Sequence, residues 1–262
     1  MIDYNNNNSR CTRFKEWSEK LDLPDLFIFL GTLLALGLAF FFDKLNPLYV
    51  PIGDSLSQFP HPDKETVPAL ILLVVLIVVP LVIFIVFYFS SKKLPDFFRT
   101  FNIWAVIWTL LTSQMAVQLV TELLKTYVGR ARPDMYARCG ENAQYETCKA
   151  TGSILSDSFK SFPSGHASGS FGAMYFTAMF IMKVFTSRSV LVSYLALLFA
   201  LLGLWVGSTR IRDFRHHPDD VVAGFFVGYV VTKLIWKNAK DRIFPKSTTT
   251  TISIKQNLIE EV

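Results

Sequence analysis

Three short polar stretches hold the residues whose types and spacing could do chemistry. The first is Lys125-Thr-Tyr-Val-Gly-Arg-Ala-Arg132-Pro133-Asp134. Lys125 and Arg132 are seven residues apart, two turns, so a helix running through both would present them on one face. Pro133 marks its end. The second is Lys160-Ser-Phe-Pro163-Ser164-Gly165-His166-Ala-Ser168. A Pro-Ser-Gly turn can aim backbone N–H groups at one point, and a helix that follows aims its N-terminal donors the same way. The third runs from Ser208 through Arg210, Arg212, Asp213, Arg215, His216, His217 and Pro218 to Asp220. His216 and Asp220 are four apart, neighbours on a helix face. A carboxylate can hold one imidazole nitrogen and leave the other free to attack an electrophile.

Taken singly, each stretch has a plainer reading: cations reaching for a membrane interface, a capped helix with a surface histidine, an arginine belt. Taken together they supply three cations (Lys125, Arg132, Arg210), a turn of amides, two imidazoles and a carboxylate. Crowded cations repel strongly at low dielectric unless an anion fills the space between them. Phosphoryl transfer needs such an arrangement, with positive charge around the equatorial oxygens and an in-line nucleophile.

The elements that must position these stretches are apolar blocks. The chain has 262 residues, 51% hydrophobic and only 18% charged, with 24 phenylalanines. Six blocks stand out, at 26–42, 67–89, 101–120, 169–185, 190–206 and 221–236. A bilayer core about 30 Å thick takes about 20 helical residues. The expectation is an all-α, integral membrane six-helix bundle, with Pro80 kinking the second span. Residues 1–25 form a polar N-terminal tail, 26–236 the membrane domain and 237–262 a C-terminal tail. This composition excludes a disordered chain and a disulfide-rich mini-protein, and argues against a soluble enzyme. The net charge of +5 is mild and does not call for nucleic acid.

With both tails on one side, that side carries fifteen of the 26 Lys and Arg residues on short connections, against eleven on the longer ones. The positive-inside rule makes the fifteen cytoplasmic. All three polar stretches then face outward, into a lumen or the extracellular space.

The pattern Lys-x6-Arg-Pro, then Pro-Ser-Gly-His, then Arg-x5-His-x3-Asp resembles the type 2 phosphatidic acid phosphatase superfamily, which includes lipid phosphate phosphatases, glucose-6-phosphatase and vanadium haloperoxidases. The matching residues are Lys125, Arg132 and Pro133; Pro163, Ser164, Gly165 and His166; and Arg210, His216 and Asp220. The resemblance covers about residues 101–236. The wording around 129–139 and 212–217 is similar to lipid phosphatases that include the fungal diacylglycerol pyrophosphate phosphatase. Two positions depart from the pattern. Thr209 precedes Arg210 where the family usually has Ser, and Pro218 follows the histidine pair where a large residue is common.

The resemblance implies hydrolysis of phosphomonoesters or diphosphates of lipids such as phosphatidate, lysophosphatidate or diacylglycerol pyrophosphate. His216, oriented by Asp220, is the expected nucleophile and His166 the expected acid and base. Lys125, Arg132, Arg210, Ser164 and Gly165 are expected to bind the phosphate. No metal or other cofactor is required, because the cations supply the charge. The partner is a membrane phospholipid substrate, in the endoplasmic reticulum, vacuolar or plasma membrane. The alternatives are a polyisoprenyl diphosphate or sphingoid phosphate phosphatase of the same superfamily, or a non-catalytic scaffold of the same fold.

Other residues read more plainly. Cys139 and Cys148 share an outward loop and are expected to form a disulfide. His217 is expected to be structural, and His61 to be an ordinary loop residue. Arg130, Arg212 and Arg215 would attract anionic headgroups or mark the interface. Gly224 and Gly228 suit close helix packing, with a homodimer the weaker option. Gln114 and Gln118 suit hydrogen bonds inside the membrane. Cys11 is a weak palmitoylation candidate, and the Asn7-Asn-Ser9 glycosylation pattern falls on the wrong side.

Overall fold

The computed structural model describes residues 23–41 and 45–245. The expectations for Cys11 and Asn7, and for most of both tails, lie outside these residues. Among the described residues the regular structure is helical, apart from one isolated bridge between Phe98 and Phe185. We number the helices α1 Leu23–Phe41, α2 Ala69–Lys93, α3 Ile103–Val128, α4 Met135–Cys139, α5 Gly152–Ser158, α6 Gly165–Val184, α7 Val190–Arg212 and α8 Pro218–Ile243. The short helices α4 and α5 lie in the connection between the first two polar stretches. The last helix continues through residues 237–243, which sequence alone assigned to the C-terminal tail.

Helices α1, α2, α3 and α7 are long and apolar enough to cross a membrane. Their outward faces carry exposed apolar side chains such as Phe27, Leu34, Val82, Leu191 and Leu198, a surface no water-soluble bundle of this size would keep. The other two expected spans, α6 and α8, differ in composition. Helix α6 is rich in Gly, Ala, Ser and Thr and is largely buried, while α8 carries several charges in its second half.

Helix α6 is the hub, packed on α7, α8, α3 and α2. Small residues allow this. A Cβ added at Gly228 of α8 would stand 2.4 Å from the Ser168 carbonyl oxygen of α6, and one at Gly224 would stand 2.6 Å from that of Ser164. The glycine pair therefore packs within the chain, with no second copy needed to explain it. Hydroxyls link the helices across the interior: Thr121 Oγ1 to Ser168 Oγ at 2.9 Å, Ser113 to Thr232 at 3.1 Å, and Ser170 to the Gly203 carbonyl at 3.0 Å. The side-chain amides of Gln114 and Gln118 lie against Gly172 and Gly169 of α6.

Pro80 lies inside α2. A π-helical turn, Val74–Val78, precedes it, and the Val79 N–H bonds back to Val74. The widened turn accommodates the missing donor at Pro80, so α2 continues through it.

Gly228→Ala is expected to lower stability by about 1–3 kcal/mol, because the methyl group meets backbone that cannot swing away. Gly37→Ala in α1, with no atom within 4 Å of the new methyl, should not lower it. Thermal unfolding of the two variants in detergent checks this pair.

Candidate active site

The three polar stretches meet at one end of the bundle. Helix α3 stops at Val128 because Gly129 takes a left-handed conformation, φ 62°. No side chain fits there: a Cβ would lie 1.7 Å from the Asn46 carbonyl oxygen. The chain turns and delivers Arg132 from outside the helix, so Lys125 and Arg132 converge around a turn and do not share a helix face. Helix α6 begins at Gly165, with Ser164 as its cap and His166 in the first turn. At the end of α7, Phe214 adopts φ 53° and stacks on Phe59, ring centroids 5.0 Å apart. This turn brings the Arg215 and His216 amides onto the Arg210 carbonyl, at 3.0 and 3.2 Å.

His216 is buried, and its two nitrogens have distinct partners. Nδ1 is 2.7 Å from the Ser161 carbonyl, which can only accept, so Nδ1 carries the proton. The Nε2 lone pair then faces Arg132 Nη1 at 3.2 Å. The rest of the Arg132 guanidinium is held by Asp157, with Nε on its carbonyl at 2.7 Å and Nη2 on its carboxylate at 2.6 Å. His166 Nε2 donates to the Val67 carbonyl at 3.2 Å, and Arg210 Nη1 donates to the same oxygen at 3.3 Å. Lys125 Nζ is 2.6 Å from Glu122 and would be 3.2 Å from a Cβ on Gly165. The bare glycine is what admits this ammonium to the mouth of α6.

Two expected pairings differ. Asp220 does not bond His216; the closest approach is 3.9 Å. Pro218 starts α8 with its fixed φ, so His216 precedes the helix and the four-residue spacing no longer places the two side by side. Asp220 instead closes a capping box with His217, accepting from its N–H at 2.8 Å and contacting its Nδ1 at 3.0 Å. It also accepts from Ser161 Oγ at 2.6 Å, so it reaches His216 through Ser161, one residue removed. Ser164 is the second difference. Its N–H donates to the Asp220 carbonyl at 2.9 Å, and its Oγ caps the Ala167 N–H. The amides left at the mouth belong to Gly165 and His166.

Several residues escaped the sequence reading. Arg215 is buried, with contacts to Asp134, Asp157 and Glu65, and so is no headgroup attractor. Arg130 pairs with both Asp219 and Asp220. His61 contacts the buried Asp134 at 2.6 Å, beside Arg138. The disulfide expected between Cys139 and Cys148 is present, in the connection that carries Asp157. The available signal was the acidic residues interleaved with the arginines, such as Asp134 and Asp213.

Burial holds His166 down to about 3, helped by the positive charge of Arg210. Burial likewise pushes His216 well below the usual imidazole value, with Arg132 the nearest cation acting on it. Lys125, Arg132 and Arg210 act on both rings, which marks them as one cluster. Asp157 and Asp220 are held below the usual carboxylate range against the cost of burial, the first by Arg132 and Arg138, the second by hydrogen bonds from His217 and Ser161 and by Arg130.

The family model for the PAP2 superfamily matches residues 102–244, which span all three clusters. The chain belongs to the PAP2 superfamily. With its apolar helices, this makes it an integral membrane protein. It is 33% identical over 159 residues to a Schizosaccharomyces pombe protein named "Probable diacylglycerol pyrophosphate phosphatase 1", covering 54% of each chain. It is 27% identical over 206 residues to Arabidopsis thaliana "Lipid phosphate phosphatase 1", covering 74% of this chain and 61% of the relative. It is 29% identical over 164 residues to Saccharomyces cerevisiae "Diacylglycerol pyrophosphate phosphatase 1", covering 53% of this chain and 54% of the relative. The chain thus spans little more than half the length of these curated relatives. No solved structure matches the chain.

The depressed histidines set a pH dependence for this PAP2 member. The unfolded chain binds protons near pH 6.5 that the folded site refuses. Stability is therefore complete above about 6.5 and falls as pH drops from there toward the folded values. Melting temperature in detergent should fall between pH 7.5 and 5, and His166→Gln should flatten part of that fall.

Proposed function

We propose that this protein is a membrane lipid phosphate phosphatase that works through a phosphohistidine. The observation that carries the reading is His216: its Nδ1–H is fixed on the Ser161 carbonyl and its Nε2 lone pair lies among Lys125, Arg132 and Arg210. A neutral, oriented imidazole beside clustered cations suits attack on a bound phosphoryl group.

In this reading the phosphoryl oxygens take up Arg132, Arg210, Lys125 and the free amides of Gly165 and His166. His216 Nε2 forms a bond to phosphorus as the bond to the leaving oxygen breaks. His166, protonated once the dianion is bound, gives its proton to that oxygen. It then takes a proton from the water that attacks the phosphohistidine, releasing phosphate and restoring His216. Asp220 and Ser161 orient the nucleophile. The cations do the electrostatic work, so the reaction needs no metal or other cofactor.

The substrate is a phospholipid bearing a terminal phosphate or diphosphate. The names of the similar proteins and the lipid-facing helices support that class. We read residues 23–243 as one membrane domain with six spans. The four apolar helices are joined by α6, shielded inside the bundle, and α8. Helix α6 is 20 residues long, enough for a bilayer core. The charge bias of the connections supports a site on the luminal or extracellular side.

Purified protein in mixed micelles with excess chelator is expected to release phosphate from phosphatidate, lysophosphatidate or diacylglycerol pyrophosphate. Activity that returns only with added magnesium would count against the metal-free scheme. His216→Ala should lower kcat by at least about 10³-fold and abolish acid-labile phosphate on the protein. Preference for polyisoprenyl diphosphates or sphingoid phosphates in the same panel would move the substrate, and silence across the panel would favour a scaffold.

A further inference from the structure

We propose that residues 65–67, in the connection between α1 and α2, form a positioning strap for His166 and Arg210. The strap lies outside the stretch matched by the family model, which begins at residue 102. Part of the catalytic geometry is therefore supplied by this chain's own first connection. The proposal rests on the reading of His166 as proton donor and Arg210 as phosphate clamp.

Each residue of the strap makes a different contact. The Val67 carbonyl accepts from His166 Nε2 at 3.2 Å and from Arg210 Nη1 at 3.3 Å. One oxygen thus sets the separation between groups from the second and third polar stretches. Thr66 grips Asp213, with its N–H at 2.9 Å and its hydroxyl at 2.6 Å. Asp213 in turn lies 3.2 Å from Arg210 Nη1. Glu65 Oε1 stands 3.2 Å from Arg210 Nη2 and 3.1 Å from Arg215 Nε. Pro68 caps α2 immediately after the strap, so the strap is anchored to a helix.

The chemistry of these contacts gives the strap two tasks. A carbonyl only accepts, so the Val67 contact keeps a proton on His166 Nε2. The nitrogen that trades protons with the leaving oxygen is then Nδ1, with the ring held by Nε2 throughout. The fully buried Arg210 has its Nη atoms engaged by the strap and Asp213. Its buried Nε has no hydrogen-bond partner among the described residues. The strap therefore does for His166 what the Ser161 carbonyl does for His216.

The test compares a substrate whose leaving group needs a proton, phosphatidate in mixed micelles, with p-nitrophenyl phosphate, whose leaving group does not. Thr66→Val keeps the shape and removes one bond to Asp213. It is expected to lower kcat/KM for phosphatidate by about tenfold, to lower that for p-nitrophenyl phosphate clearly less, and to be rescued by Thr66→Ser. A purely structural role would lower both substrates alike, and the melting temperature with them. Equal losses at a lowered melting temperature, or values within twofold of wild type on both, overturn the strap, whereas equal losses at an unchanged melting temperature support its hold on Arg210. Should Thr66→Val not fold, Glu65→Gln carries the test: a several-fold loss in kcat/KM at unchanged melting temperature supports the strap, and wild-type values overturn it. Wild-type protein inactive on both substrates would overturn the phosphatase reading and the strap with it. Active wild type beside an unaffected variant overturns the strap alone.

Discussion

Three guanidinium groups, those of Arg132, Arg210 and Arg215, are each less than a tenth exposed at one end of the bundle. Everything else at that end answers their charge. Two unit charges 4 Å apart interact by about 4 kcal/mol at an effective dielectric of 20. Uncompensated, such a cluster would open the fold. The counter-charges arrive from separate parts of the chain: Glu65 before α2, Asp134 before α4, Asp157 in α5 and Asp213 after α7. They fall into two kinds. Asp134 and Asp213 are buried and belong to the framework, whereas Asp157 and Glu65 keep partial access to solvent. Accessible carboxylates on buried cations leave those cations able to share their donors with an entering anion.

The bundle exists to hold this charge cluster steady, and α6 does most of the holding. Its N-terminus supplies free amides and the positive end of its dipole to the site. Its body lies so close to α8 that Gly224 and Gly228 must lack side chains. Because Gly224 touches the Ser164 carbonyl and the Asp220 carbonyl takes the Ser164 N–H, the same packing fixes the second and third polar stretches relative to each other. Close helix packing and site geometry are here one constraint.

Much of this was legible in the sequence. The six apolar blocks overlap the six long helices among the described residues, with ends displaced by up to eight residues, and the three polar stretches do converge. What was not legible depended on local backbone or on distant partners. Gly129 ends α3 in a left-handed conformation three residues before Arg132, so the seven-residue spacing of Lys125 and Arg132 misled. Pro218 starts α8 one residue too late for His216 and Asp220 to pair as helix neighbours. Asp157 and Glu65 carry no local signal at all. Their arginine partners lie 19 or more residues away, and only tertiary structure selects them from the other acidic residues.

The partners of the two imidazoles follow from the same electrostatics. Each ring is held by a main-chain carbonyl, Ser161 for His216 and Val67 for His166, and among the described residues no carboxylate touches either at hydrogen-bonding distance. A carboxylate in that place would raise ring basicity and bring a negative charge beside the seat of a phosphoryl group. A carbonyl fixes the tautomer and adds no net charge. Asp220 is kept one residue back, where it holds the Ser161 hydroxyl and caps α8. The arrangement separates two tasks: carbonyls orient the rings, and carboxylates hold the cations. In the proposed reaction this keeps His216 neutral as a nucleophile. It also lets the bound dianion itself raise the affinity of His166 for the proton it must donate.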